Sequence, residues 1–313
     1  MGTPVFALPC LEAVAQHTQL LAVVCQPDKP VGRGLASAAP ATKQWALSRG
    51  IPVVQPVSVR PDRSDFLAQL QGWAPDLVVV VAYGKILPAA LLAVPRLGFW
   101  NVHASLLPKY RGAAPIQWSL MHGETETGVS LMQLDAGMDT GPVFAEERLG
   151  IAATDTAQDL QDKLAKLGAG LLTQWLIRAA AGPLPPPLPQ DHSQATMAPL
   201  LTKEHGAVDF SREARLVAGQ IQGVTPWPGA YTTLPSGEIL KLFDPVVVAG
   251  AQNAAPGTCL QVSGEGLVVA CGTGAVCIRS VQAPGRKRMP AAAWAVGARF
   301  VAGTQLSTTR LAP

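Results

Sequence analysis

Two runs of branched aliphatic residues constrain this chain more than any other feature. Leu20-Leu21-Ala22-Val23-Val24 and Leu77-Val78-Val79-Val80-Val81 are continuous rather than alternating, the pattern of strands buried on both faces in a parallel sheet. Between such runs lie stretches of helical spacing, for example Asp65 to Trp73, where Phe66, Leu67, Leu70 and Trp73 recur at three- and four-residue intervals. Strand and helix patterns that alternate in this way predict an α/β layer structure. The chain is long enough, at 313 residues, for about two domains. Its 48% apolar and 14% charged residues are the opposite of the composition that leaves a chain disordered.

The first half is thus expected to be a Rossmann-like, mostly parallel sheet with helices on both faces. A later helix is predicted to begin near Thr156, whose hydroxyl can cap the backbone N–H of Asp159. It carries Leu160, Leu164, Leu167, Leu171 and Trp175 on one stripe and stops at Gly182-Pro183. Four prolines at 185–187 and 189 predict an extended linker. Beyond it, Ala230 to Leu234, Glu238 to Phe243, Gly257 to Val262, Gly266 to Cys271 and Ala275 to Val281 read as short strands between glycine turns. Five such strands suggest a small all-β barrel like the oligonucleotide-binding fold. The organisation predicted is an α/β domain over 1–182, a linker over 183–203 and a C-terminal domain over 204–313.

Net charge is −1 over residues 1–202 and +4 over 203–313, so the basic excess sits in the last third. The five cysteines form no CxxC pair and have apolar neighbours, as buried, reduced thiols would. The greasiest stretch is broken by Tyr83, Lys85 and Pro88, short of the roughly 18 to 20 apolar residues of a membrane helix. A cytoplasmic protein with no membrane partner is expected, and a monomer.

In an open α/β sheet, ligands bind beyond the carboxyl ends of the strands. The strand Gly98 to His103 ends in Asn101 and His103, two residues apart and so on one face, with Val102 facing the other way. A carboxamide and an imidazole aimed at one spot suit a developing oxyanion, and the imidazole can also move a proton. Alone, the pair could equally end a strand by bonding to nearby backbone. The context is more specific: NVHASLLPKYRGAAPIQ follows at 101–117 and LDAGMDTGPV at 134–143.

These segments resemble the folate-dependent formyltransferases. The resemblance extends along the chain through GTPVFALPCLEA at 2–13, QPDKPVGRG at 26–34, DLVVVVAYGKILP at 76–88, PQDHSQAT at 189–196 and VTPWPGAYT at 224–232. It implies transfer of the formyl group of 10-formyltetrahydrofolate to the α-amino group of methionyl initiator tRNA, for translation initiation. The family's catalytic asparagine, histidine and aspartate match Asn101, His103 and Asp139. Its folate-contacting Ser-Leu-Leu-Pro matches Ser105, Leu106, Leu107 and Pro108, and its pterin pocket would draw on Ala82, Tyr83, Gly84, Ile86 and Leu87. Asp139 would either hold His103 protonated or steer a water that carries the proton off the attacking amine. No closely spaced His or Cys cluster of zinc type occurs, and metal dependence is not expected.

For the tRNA, the resemblance implies contact through a loop at Gln26 to Pro40 carrying Arg33. The lysines usual after Gly-Arg-Gly are here Leu35-Ala36-Ser37, which weakens that loop's electrostatic share. Arg286, Lys287 and Arg288 form a second basic cluster able to meet phosphates. Relatives carry a short apolar strand ahead of Met-Gly-Thr-Pro, which this sequence, opening on Met1-Gly2-Thr3-Pro4, does not show. The competing reading is a formyltransferase of a small amine, such as glycinamide ribonucleotide or an amino sugar. A dinucleotide-dependent oxidoreductase is opposed by the lack of G-x-G-x-x-G after a strand.

Overall fold

The computed structural model describes residues 1–31, 36–248 and 254–308, with backbone alone for 30, 31, 36 and 37. In chain order, the first elements are α1 (Leu8–His17), β1 (Val23–Val24), β2 (Lys29–Val31), β3 (Ala36–Ala38), α2 (Ala41–Leu47), β4 (Val53–Val54), α3 (Phe66–Trp73), β5 (Val78–Val80), α4 (Ala89–Leu92) and β6 (Phe99–His103). They are followed by α5 (Pro115–Met121), β7 (Glu126–Gln133), β8 (Val143–Gly150) and α6 (Ala157–Ala181). The chain divides into two compact units: 1–115 with 127–149 and 161–199, and 116–126 with 150–160 and 200–313.

In the first unit β1 pairs parallel with β4, β5 pairs parallel with β6, and β6 pairs antiparallel with β7, which neighbours β8. Met1 and Gly2 take a strand position between β1 and β5. Gly2 N donates to Val24 O at 2.9 Å, Val81 N donates to Met1 O at 2.8 Å, and the Met1 ammonium donates to Val79 O. Beside these two residues lies a cavity of about 660 Å³, lined by the 20–24 and 77–79 runs among others. The expected strand Leu20 to Val24 forms only at Val23–Val24, paired with Val53–Val54, and Leu21 is 39% exposed. The core beside β5 and β6 gathers Val24, Phe66, Leu70, Val80, Leu91 and Phe99.

Helix α6 begins as its sequence predicts. Asp159 N donates to Thr156 Oγ1 at 3.3 Å while Thr156 N donates to Asp159 Oδ2 at 2.9 Å, a reciprocal capping box. Its Trp175 packs against Phe144 of β8 with tilted rings 5.1 Å apart between centroids, and Phe144 meets Trp100 of β6 in the same way at 5.1 Å. Gly168 lets the helix approach β6: a Cβ there would lie 2.6 Å from Val102 Cγ1. Val102 thus faces the helix, and the neighbours Asn101 and His103 face away from it.

Two segments differ from expectation. Within the Gln26 to Pro40 loop, β2 and β3 pair as an antiparallel hairpin with Lys29 opposite Ala38, which satisfies backbone groups that an irregular loop would leave to water. The proline-rich segment is extended but not a free linker: Val143 and Leu188 exchange two backbone hydrogen bonds of 2.8 Å.

The second unit contains α7 (Ala214–Gly223), β9 (Tyr231–Thr233), β10 (Ile239–Val248), β11 (Cys259–Ser263), β12 (Gly266–Ala270), β13 (Ala275–Gln282), β14 (Met289–Pro290) and α8 (Ala291–Ala298). Its sheet is antiparallel, in the order β11-β12-β13-β10-β9 with β14 on β13. Among the described residues this is an open path, so the expected barrel appears as a sheet without closure. Residues 116–126 and 150–160 join this unit for stated reasons. Arg212 Nη2 donates to Met121 O at 3.1 Å, Gln222 Nε2 donates to Ala153 O at 2.6 Å, and Gly219 lies so close to Leu120 that a Cβ would meet its carbonyl at 2.1 Å. All five cysteines are buried free thiols, and burial pushes Cys10 and Cys271 up to about 12. No helix among the described residues is long and apolar enough to cross a membrane.

Candidate active site

All five residues of β6 are buried, and Asn101 and His103 stand on one face of it. Asp139 reaches them from the loop between β7 and β8. Its Oδ1 accepts from Asn101 Nδ2 at 3.4 Å, its Oδ2 lies 3.7 Å from His103 Nδ1, and the same oxygen accepts the Gly112 N–H at 2.9 Å. The three residues that are 36 and 38 positions apart in sequence therefore form one cluster. His103 is further held at its other nitrogen: Nε2 sits 2.9 Å from Tyr110 O. A carbonyl only accepts, so Nε2 carries the proton. In the neutral ring, Nδ1 then presents its lone pair on the Asp139 side, and any second proton taken up there meets the carboxylate.

The backbone around this cluster is bent to suit it. Tyr110, Gly112 and Asp139 have φ of 60°, 119° and 52°, which an L-residue adopts only when its surroundings hold it there. Gly112 has a steric reason as well, since a Cβ would come within 2.8 Å of Ala198 O. Behind the cluster, Gln190 Nε2 donates to Asp139 O at 2.9 Å and Gly141 O at 2.7 Å. Its Oε1 accepts from Arg111 Nε at 3.1 Å and Nη2 at 2.6 Å.

The Ser105 to Pro108 segment follows directly on β6. Ser105 Oγ donates to Lys109 O at 2.6 Å, and Ser130 of β7, paired opposite His103, accepts from Leu107 N at 3.0 Å and donates to Ser105 O at 2.8 Å. Leu107 is buried, whereas Leu106 and Pro108 are half-buried. In the second candidate segment, Ala82, Gly84 and Ile86 are exposed, while Tyr83 and Leu87 point into the core with Val80, Leu91 and Phe99. The side chains of Tyr83 and Leu87 are therefore core, and Tyr83 O accepts from Gln26 Nε2 at 2.9 Å.

Of the basic residues, Arg286 and Lys287 are exposed in the turn before β14. Arg288 is committed elsewhere, ion-paired to Asp244 and laid over the Phe243 ring at 4.5 Å. Arg33 lies outside the described residues. No group of three or more metal-capable side chains occurs among the described residues. The sequence reading passed over Arg111, Gly112, Ser130 and Gln190. The first two lie inside the motif that contains His103, and Gln190 is the second residue of PQDHSQAT, a conspicuous segment without an assigned role.

Comparison with known proteins decides the family. The formyl transferase family model matches residues 2–176, and that of the formyl transferase C-terminal domain matches residues 200–299. The chain belongs to the formyltransferases. It is a one-carbon transferase. The methionyl-tRNA formyltransferase of Sorangium cellulosum is 48% identical over 97% of both chains, and that of Geobacter sulfurreducens is 47% identical over 98% of this chain and 95% of its own. Among solved structures, an N-formyltransferase from Helicobacter canadensis in complex with folinic acid and dTDP-3-aminofucose superposes with a TM-score of 0.67. It is 17% identical, over 88% of this chain and 96% of that one. HypX from Aquifex aeolicus in complex with tetrahydrofolic acid gives 0.53 at 20% identity, over 80% of this chain and 43% of that one. At such identity these two share the formyltransferase fold.

Proposed function

We propose that this formyltransferase moves the formyl group of 10-formyltetrahydrofolate onto the α-amino group of methionyl initiator tRNA in the cytoplasm, with Asn101, His103 and Asp139 as its catalytic residues. The observation that carries the catalytic assignment is the convergence of Asp139 on both partners, 3.4 Å from Asn101 and 3.7 Å from His103. The choice of tRNA over a small amine is supported by full-length similarity to methionyl-tRNA formyltransferases and by a C-terminal antiparallel domain carrying Arg286 and Lys287.

The chemistry follows from these groups. The amine lone pair attacks the formyl carbon, giving a four-coordinate centre with a negatively charged oxygen. Hydrogen-bond donors fixed before the reaction lower the energy of that charge most where water is excluded. Asn101 offers a carboxamide N–H, and His103 offers Nδ1–H whenever it is protonated beside the carboxylate. The ammonium proton leaves to the Nδ1 lone pair of a neutral His103 or, where His103 is already protonated, to a water directed by Asp139; the bond between the formyl carbon and N10 then breaks, and N10 takes up the proton so released. Tetrahydrofolate and N-formylated methionyl-tRNA result. The nucleophile is the substrate's own amine, whose pKa of about 7.7–8.0 leaves a useful neutral fraction near pH 7. Ser105 to Pro108 and the segment Ala82 to Leu87, where Ala82, Gly84 and Ile86 are exposed, would hold the folate.

The test is incubation of purified protein with methionyl initiator tRNA and 10-formyltetrahydrofolate, followed by detection of blocked methionine, with glycinamide ribonucleotide as the competing acceptor. Asp139→Asn keeps size and tolerates the left-handed backbone but puts N–H groups where the carboxylate accepts. It is expected to lower kcat by about 10² to 10⁴ with little change in KM for the folate. Parental turnover in that variant would remove Asp139 from the mechanism.

A further inference from the structure

We infer that Gln190 and Arg111 are positioning residues that set Asp139 in place from behind, an inference that rests on the catalytic reading of Asp139. The Gln190 carboxamide uses its full bonding capacity there. Both N–H groups go to the Asp139 and Gly141 carbonyls, and its oxygen takes two N–H groups of the Arg111 guanidinium. The opposite orientation would set oxygen against two carbonyls and nitrogen against a cation, so the arrangement admits one orientation only. Both side chains are buried, Arg111 at 6% and Gln190 at 9% exposure, so water does not replace these bonds cheaply. Asp139 meanwhile sits at φ 52°, a conformation uncommon for any residue with a Cβ, and a double clamp on its loop sustains it.

The clamp is itself anchored. Residues 196–198 run parallel to 110–114: Tyr110 N donates to Thr196 Oγ1 at 2.9 Å, Arg111 N to Thr196 O at 2.9 Å, Ala198 N to Arg111 O at 2.7 Å and Ala114 N to Ala198 O at 3.1 Å. His192 Nδ1 accepts a further Arg111 N–H at 2.9 Å. The segment from Gln190 to Ala198 thus braces both the backbone that presents Gly112 N–H to Asp139 and the loop that carries Asp139. Displacement of a reacting group by about 1 Å is enough to cost about 10²-fold in rate.

The experiment is a double-mutant cycle on the full chain, with kcat and KM measured for formylation of methionyl-tRNA. Gln190→Ala is expected to lower kcat by about 10²-fold with KM for the folate unchanged, and Arg111→Lys, which keeps the charge but loses the fork, to fall between it and the parent. In an Asp139→Ala background the Gln190 substitution should cost nothing more, because its effect passes through the missing carboxylate. Gln190→Glu serves if the alanine variant does not fold: it keeps the contact to Arg111, loses both donors to the loop, and should show the same loss. Gln71→Ala, on the exposed side of α3, should match the parent. Parental kcat in Gln190→Glu, or losses that add fully to Asp139→Ala, would overturn the positioning role while leaving the catalytic reading intact. Parental kcat in Asp139→Ala would instead overturn the reading beneath it.

Discussion

Asp139 spends its two carboxylate oxygens on three partners of different kinds: a carboxamide, an imidazole and a backbone N–H. Tyr83 is the contrasting case. Its ring is in the core, its hydroxyl has no hydrogen-bond partner among the described residues, and burial pushes the phenol up to about 12. An unpaired buried hydroxyl costs about 1–3 kcal/mol, so Tyr83→Phe is expected to raise stability by about 1 kcal/mol while the ring packing stays. Because the side chain faces away from solvent, KM for the folate should not change. Urea melts and folate kinetics check both expectations, and a raised KM would return the Tyr83 side chain to the pterin pocket.

At the scale of elements, β6 does two jobs through the alternation of its residues. Asn101 and His103 look toward Asp139, while Val102 receives helix α6 at Gly168. Gly168→Ala would drive a methyl into Val102, and overpacking of this sort costs about 1–3 kcal/mol. The expected outcome is a lower unfolding midpoint together with reduced kcat, since the strand that moves carries the site; thermal melts and initial rates measure the two. Charge reversal at Arg286 and Lys287 tests the second unit separately: it should weaken tRNA binding, and flatten its salt dependence, without changing folate KM. Equal affinity at low salt would clear those residues of the role. Much of this was legible in sequence because periodicity is local. The strand ending at His103, the capping box of α6 and the five short C-terminal strands all follow from spacing and turn residues. The clamp was not legible, because Gln190 meets Asp139 across 51 positions and a proline-rich stretch reads as linker from composition alone. The division into units escaped for the same reason, residues 116–126 and 150–160 being drawn to Arg212 and to Gln222 of α7 by hydrogen bonds that no local pattern announces.

For the molecule as a whole, the two units share one chemical trait: Cys10 and Cys25 in the first and Cys259, Cys271 and Cys277 in the second are buried free thiols, and burial raises the pKa of every one. The thiolate is the reactive form, so near neutral pH each is both protonated and shielded. Labelling with iodoacetamide near neutral pH is expected to leave all five unmodified while the chain is folded and to modify all five in denaturing urea, with intact mass as the readout. A thiol that reacts without urea would locate a region that opens before the chain unfolds.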